Sequence, residues 1–152
     1  MRVMPTIIRT AIVEDDDELR TLIRRRIERS SDMQVVRVFE SGDDYLNKLD
    51  DLEVHVVLMD INMAGRNGID TVREAKRCKP EVQYLMLTIF ENPAYIFEAL
   101  CAGATGYLLK STPAEELLEA VRDIHRGGSP MNSAIARLVV NSFQKETRQR
   151  IN

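Results

Sequence analysis

The amino-acid sequence predicts an α/β fold, a doubly wound parallel sheet covered by helices on both faces, and three observations predict it. Short apolar segments take turns with segments whose apolar residues recur at helical spacing. The apolar segments are nearly continuous rather than alternating, as strands buried on both faces require. Five strands alternating with five helices also imply right-handed crossovers, which place helices on each side of the sheet.

Ile7 to Val13 predicts the first buried strand, which stops abruptly at Glu14-Asp15-Asp16-Asp17. Leu19, Leu22, Ile23 and Ile27 then predict a helix to about Ser30. Gln34 to Phe39 is the second strand, and Ser41 is placed to cap a helix holding Tyr45, Leu46 and Leu49. Val54 to Asp60 is the third strand, again ending in an acid. Asn67-Gly68 is a turn signal, and Ile69, Val72 and Ala75 make a helical face behind it, stopped near Pro80. Val82 to Thr88 is the fourth strand; Pro93 then opens a helix with Ile96, Phe97 and Leu100, halted by Gly103. Tyr107 to Leu109 is a short fifth strand ending at Lys110. Thr112, Pro113 and Glu115 fall at the N-cap, N1 and N3 positions of a helix through about Arg126, ended by Gly127-Gly128. A sixth helical pattern begins near Ser133, with Ile135, Leu138, Val139 and Phe143 on one face, and Lys145 to Asn152 look like a linker or a frayed end. The expected division is a core domain over 1–128 and an appended helix with a linker-like tail over 129–152.

The composition excludes several classes. The 152 residues suit one core, and 44% hydrophobic with 30% charged residues is a globular balance, not a disordered one. A net charge of −3 gives no bulk electrostatic reason to bind nucleic acid or membrane. Arg24-Arg25-Arg26 lies within a helical pattern and is expected to be a solvated face. Cys78 and Cys101 lack metal-ligand spacing and are expected to be reduced thiols, one or both packed as small hydrophobes. No stretch reaches the roughly 18 apolar residues of a membrane span, and no leader is evident, so a cytoplasmic protein without membrane partners is expected. His55 and His125 are assigned packing and helix-end roles, and Met59, Met63 and Met86 are fillers.

Ligands of doubly wound sheets bind beyond the carboxyl ends of the strands. Those ends carry Glu14 and Asp15, Asp60, Thr88 and Lys110, far apart in sequence but brought to one rim by the fold. Gathered carboxylates resist joint ionisation unless a cation compensates, and an all-oxygen set suits Mg²⁺. Asp15 and Asp60 are expected to bind it directly, Glu14 through water, and Asn62 through its backbone carbonyl. A carboxylate can also attack phosphorus, giving an acyl phosphate. Asp60 as phosphoacceptor, with Lys110 as a fixed charge and Thr88 as a hydroxyl donor, completes a set for phosphoryl transfer. Singly, each of these residues has a bland reading; their joint occurrence at the ends of one sheet does not.

The segments IVEDD, VVLMDINMAGRNGID, LMLT and GYLLKSTPAEELLEAV resemble those of the bacterial response-regulator receiver family over roughly residues 7 to 128. The last segment, with its following RGG, is similar to the NarL/LuxR-type branch. The resemblance implies a five-stranded flavodoxin-like fold with strand order 2-1-3-4-5 that accepts phosphate from a sensor histidine kinase. It makes Glu14 and Asp15 the acidic pair, Asp60 the phosphoacceptor, Thr88 the switch hydroxyl, Lys110 the family lysine and Tyr107 the switch aromatic. Phosphorylation would draw Thr88 toward Asp60, let Tyr107 turn inward, and remodel the surface over 93–126, which is also the expected homodimer face.

Three departures stand out. Met63-Ala64-Gly65 replaces a common Met-Pro-Gly run; Ser111 follows Lys110 where proline is frequent, so a cis bond there would be costly; and Ile89 follows Thr88 where a small residue is usual. The branched Ile89 is expected to slow hydrolysis of the acyl phosphate. A phosphatase-like hydrolase is disfavoured because Asn62 stands where a second acid is needed and the loops leave no room for a capping insertion. A pseudo-receiver binding module is disfavoured by intact Asp15, Asp60, Thr88 and Lys110. The chain is thus expected to be a signalling phosphoacceptor rather than an enzyme, with at most self-catalysed phosphorylation and dephosphorylation. It is further expected to be the regulatory part of a transcription regulator that meets DNA only through a separate C-terminal domain, with a stand-alone receiver as the alternative.

Overall fold

The computed structural model describes residues 6–151 except 64, 90 and 91. Five strands, β1 (Ile8–Val13), β2 (Met33–Phe39), β3 (Val56–Met59), β4 (Gln83–Thr88) and β5 (Gly106–Leu109), form one parallel sheet in the order β2-β1-β3-β4-β5. Between them run α1 (Asp17–Glu28), α2 (Gly42–Lys48), α3 (Gly68–Cys78) and α4 (Pro93–Ala102), and α5 (Ala114–His125) follows β5. A further helix, α6 (Ser133–Ile151), comes last. This is the flavodoxin-like doubly wound arrangement with an extra C-terminal helix. The chain leaves β1 in opposite directions to β2 and β3, so the crevice for a ligand opens beyond β1 and β3.

The two faces of the sheet bury separate clusters, which is why the strands are apolar on both sides. On one, Ile23 and Ile27 of α1 and Leu117, Val121 and Ile124 of α5 meet Ile12, Leu58 and Leu85. On the other, Tyr45, Ile69, Val72, Ala75, Ile96 and Ala99 meet Ala11, Val57, Met59 and Met86. Within this second layer the hydroxyls of Tyr45 and Tyr84 share a buried 2.6 Å hydrogen bond. Burial pushes the Tyr45 phenol up to about 12, so the pair stays neutral.

The helix starts follow their caps. Asp16, Ser41, Asn67 and Asn92 each accept a hydrogen bond from a first-turn amide of α1, α2, α3 and α4, and Pro93 takes a position where its missing N–H costs nothing. Helix α5 differs from expectation. Pro113 occupies its N-cap without a side-chain bond, and the Thr112 hydroxyl instead donates to the Leu109 carbonyl at 2.6 Å. Leu22 is also misplaced by the periodicity, being 43% exposed, and both cysteines are exposed rather than packed.

Helix α6 folds back on α4. Ile135 is fully buried in the second cluster, with Leu138 and Val139 against it. The helix continues through the polar residues to Ile151, where a tail was expected. Its entry is tied down as well: Tyr107 N donates to Pro130 O at 3.0 Å, and Leu109 N donates to Asn132 Oδ1 at 2.9 Å, so residues 130–132 lie along the outer margin of β5. No cis peptide occurs among the described residues, so the Lys110–Ser111 bond is trans. Among those residues no helix is long and apolar enough to cross a membrane.

Candidate functional site

The carboxyl ends of β1, β3, β4 and β5 converge as the order of the sheet requires. Strand pairing holds the first two in register: Asp60 N donates to Val13 O, and Glu14 N to Phe39 O, both at 3.0 Å. Lys110 N donates to Thr88 O at 2.8 Å, bringing the end of β5 beside that of β4. Glu14 and Asp60 are buried, at 2% and 5% exposure, while Asp15 is exposed.

Lys110 closes the cluster. Its Nζ lies 2.8 Å from Glu14 Oε1 and 3.2 Å from Asp60 Oδ1. Glu14 Oε1 is sealed from solvent, and beyond this ion pair it has no further hydrogen-bond donor among the described residues. Burial pushes the Glu14 carboxyl up to about 7; contact with Lys110 opposes the rise, and the neighbouring Asp60 adds to it. For Lys110, burial favours the neutral amine, but the two carboxylates outweigh it and raise the ammonium above its ordinary range.

Glu14, Asp15 and Asp60 each offer an oxygen within 4.8 Å of the others. An oxygen-only donor set carrying an under-satisfied buried carboxylate fits a hard divalent cation, and Mg²⁺ is the ion that such a sparse set suits. Asn62 is exposed in the loop two residues past Asp60. Ala64 of the altered Met-Ala-Gly run lies outside the described residues. Met63 is buried against the second cluster.

Thr88 and Tyr107 are both fully buried. Burial pushes the Tyr107 phenol up to about 12, with a hydrogen bond to the Thr88 side chain pulling the other way. The aromatic ring is therefore turned inward. Ile89, next to Thr88, is 71% exposed.

Gly68 was legible only as part of a turn signal, yet it helps to shape the site. A Cβ at this position would stand 1.9 Å from the Asp60 carbonyl oxygen, and Gly68 N donates to Ile61 O at 2.8 Å. The first residue of α3 is pressed against the backbone of Asp60, which only glycine permits.

Comparison with known proteins agrees with this geometry. Residues 10–122 match the response regulator receiver domain family. The chain is 36% identical over 138 residues to the response regulator GacA of Pseudomonas protegens, covering 90% of this chain and 65% of that protein. It is 32% identical to the transcriptional regulatory protein LnrK of Bacillus subtilis, covering 91% of this chain and 63% of the relative. The chain thus spans less than two thirds of these relatives. Among solved structures, a LuxR-family two-component response regulator from Aurantimonas superposes with a TM-score of 0.85 at 27% identity, over 90% of this chain and 98% of the other. The isolated receiver domain of RcsB from Salmonella enterica, solved with the phosphomimetic BeF3−, gives 0.80 at 26% identity over 88% and 99%. The chain belongs to the response-regulator receiver family, in its NarL/LuxR-type branch.

Proposed function

We propose that this receiver is phosphorylated on Asp60 by a sensor histidine kinase in a Mg²⁺-dependent reaction. The observation that carries the proposal is the position of Lys110, whose ammonium reaches both Glu14 and Asp60 at the rim where three carboxylates meet. An Asp60 oxygen forms the new P–O bond as the P–N bond of a phosphohistidine breaks, and the electron pair leaves with the imidazole. Asp15 and Asp60 would hold Mg²⁺ directly, with Glu14 through water and Asn62 through its carbonyl; the ion supplies neutralising charge to the phosphoryl oxygens. Lys110 neutralises them from the other side, and the Thr88 hydroxyl donates to one of them.

Because Tyr107 is already inside and bonded to Thr88, switching consists of an exchange: Thr88 gives up Tyr107 for a phosphoryl oxygen. The change passes to the surface over 93–126, the proposed dimer face. Part of that surface is covered by α6, leaving Tyr95 and Phe97 of α4 at 39% and 43% exposure. Residues 1–128 act as the receiver, and 129–152 as the helix and connector leading toward output. In the cytoplasm, a longer regulator would meet DNA through a separate domain, a reading supported by likeness to the transcriptional regulatory protein LnrK, of which this chain covers 63%. Ile89 slows hydrolysis of the acyl phosphate; an unchanged dephosphorylation rate in Ile89→Ala would remove that role.

The test is acyl-phosphate formation on the purified chain with acetyl phosphate, with and without Mg²⁺, beside Asp60→Ala. Labelling that needs both the metal and Asp60 is expected. Metal-independent labelling, or labelling retained by Asp60→Ala, would overturn the assignment.

A further inference from the structure

Arg20, in the first turns of α1, joins three segments through one guanidinium. One terminal nitrogen donates to the Glu14 carbonyl oxygen at 2.9 Å. The other contacts the Asp17 carboxylate within α1 and lies 3.7 Å from Glu40 Oε1, just past β2. The Arg20 side chain is only 12% exposed, but Asp17 and Glu40 are 80% and 73% exposed, so the bond to the Glu14 carbonyl is the shielded part of the bridge.

The bond to Glu14 O is the informative one. That carbonyl belongs to the peptide linking Glu14 to Asp15, and its orientation sets the direction in which the Asp15 side chain leaves the backbone. On one side Glu14 N is fixed by Phe39 O. On the other, Asp16 is committed to capping α1 through Leu19 N at 3.1 Å. Asp15 itself is exposed. Arg20 therefore fixes the one peptide plane between these anchors. A guanidinium makes such bonds in two directions at once, which an ammonium on a flexible stem cannot reproduce.

We propose that Arg20 is a positioning residue for the cation site, preorganising the Glu14–Asp15 backbone so that Asp15 meets Mg²⁺ without first being ordered. The proposal rests on the metal reading of Glu14, Asp15 and Asp60. Arg20 sets how tightly Mg²⁺ is held, and phosphoryl transfer at saturating metal does not depend on it.

The experiment is Mg²⁺ titration of the whole chain by isothermal titration calorimetry for wild type, Arg20→Met, Arg20→Lys and Asp15→Asn, with a thermal melt of each. Arg20→Met is expected to weaken Mg²⁺ binding about tenfold, the low end of the range in which outer-shell partners of metal ligands act, and Arg20→Lys about threefold, because one donor is kept. In acyl-phosphate formation from acetyl phosphate, the Mg²⁺ concentration for half-maximal rate rises by the same factors, while the maximal rate stays within about twofold. A purely structural role would lower the melting temperature and leave the Mg²⁺ curve in place. Wild-type affinity in Arg20→Met, beside weakened binding in Asp15→Asn, would overturn the proposal and leave the metal reading standing. Equal affinity in wild type and Asp15→Asn would overturn both. Full affinity in Arg20→Lys would also overturn it, because charge alone would then suffice.

Discussion

Lys110 Nζ lies 2.8 Å from Glu14 Oε1, closer than the 3.2 Å that separates it from the phosphoacceptor candidate Asp60. Its charge is thus shared between two carboxylates that a metal ion would also use. Removing the lysine has opposite effects on the two processes. In Lys110→Ala, Mg²⁺ is expected to bind up to about tenfold more tightly, since a competing cation is gone. Acyl-phosphate formation falls by about a hundredfold, since the phosphoryl oxygens lose a fixed charge. Calorimetry and a labelling time course measure the two; loss of metal affinity in this variant would show that Lys110 orders the acids rather than competes for them.

The contact of Gly68 with Asp60 makes a second prediction. In Gly68→Ala, the new methyl group must displace either α3 or the backbone of Asp60, because it would stand 1.9 Å from the Asp60 carbonyl oxygen. The expected cost is about 1–3 kcal/mol of stability, the ordinary range for overpacking a tight site. Urea unfolding checks it, and phosphorylation at Asp60 should slow even at temperatures where the variant is fully folded.

The tyrosine pair offers a double-mutant cycle. Tyr45→Phe leaves the Tyr84 hydroxyl buried without its 2.6 Å partner and should destabilise by about 1–2 kcal/mol. The double change to Phe removes both hydroxyls and should recover part of that loss. Additive single and double effects in chemical denaturation would mean that the bond contributes no coupling.

Acid sensitivity is predicted at the opposite end of the sheet. His55 Nδ1 accepts from Arg9 N at 3.0 Å, and the His125 ring lies 4.8 Å away. Burial first, then the charges of His125 and Arg9, hold the His55 imidazole below its usual 6.5. The folded state therefore favours neutral His55, and on acidification the unfolded chain takes up the proton first. This contribution is fully present above about pH 6.5 and is lost as pH falls from there through the folded value. The urea midpoint should drop between about pH 7 and 5.5, more steeply in wild type than in His55→Gln; parallel profiles would count against the assignment.

Much of this molecule was legible because burial and chemistry changed abruptly at the same residues. Val57-Leu58-Met59 followed by Asp60, or Ile12-Val13 followed by Glu14, announces both a strand and its functional end. The cap Ser41 and the helix-opening Pro93 were legible for the same reason, since their geometry depends on a few neighbouring residues. What escaped depends on distant partners. Thr112 had the spacing of a cap, but the Leu109 carbonyl and the Asn132 amide claim its hydroxyl. Leu22 matched the period of its helix yet is 43% exposed. Gly68 and Arg20 act through backbone atoms of other segments, and a hydrogen bond to a carbonyl leaves no trace in residue type. The helix through Ile151 was missed because its last turns carry no apolar face to mark them.

The connector beyond α5 has a consequence for association. An outermost strand normally offers a row of open amides on which a second chain can grow as another strand, and thus a seed for aggregation. Pro130 and Asn132 occupy the outward amides of Tyr107 and Leu109, one through its main chain and one through its side chain. The molecule has in effect hemmed its own border. A partner arriving there must bind through side chains on the flanking helices, or first peel the hem away.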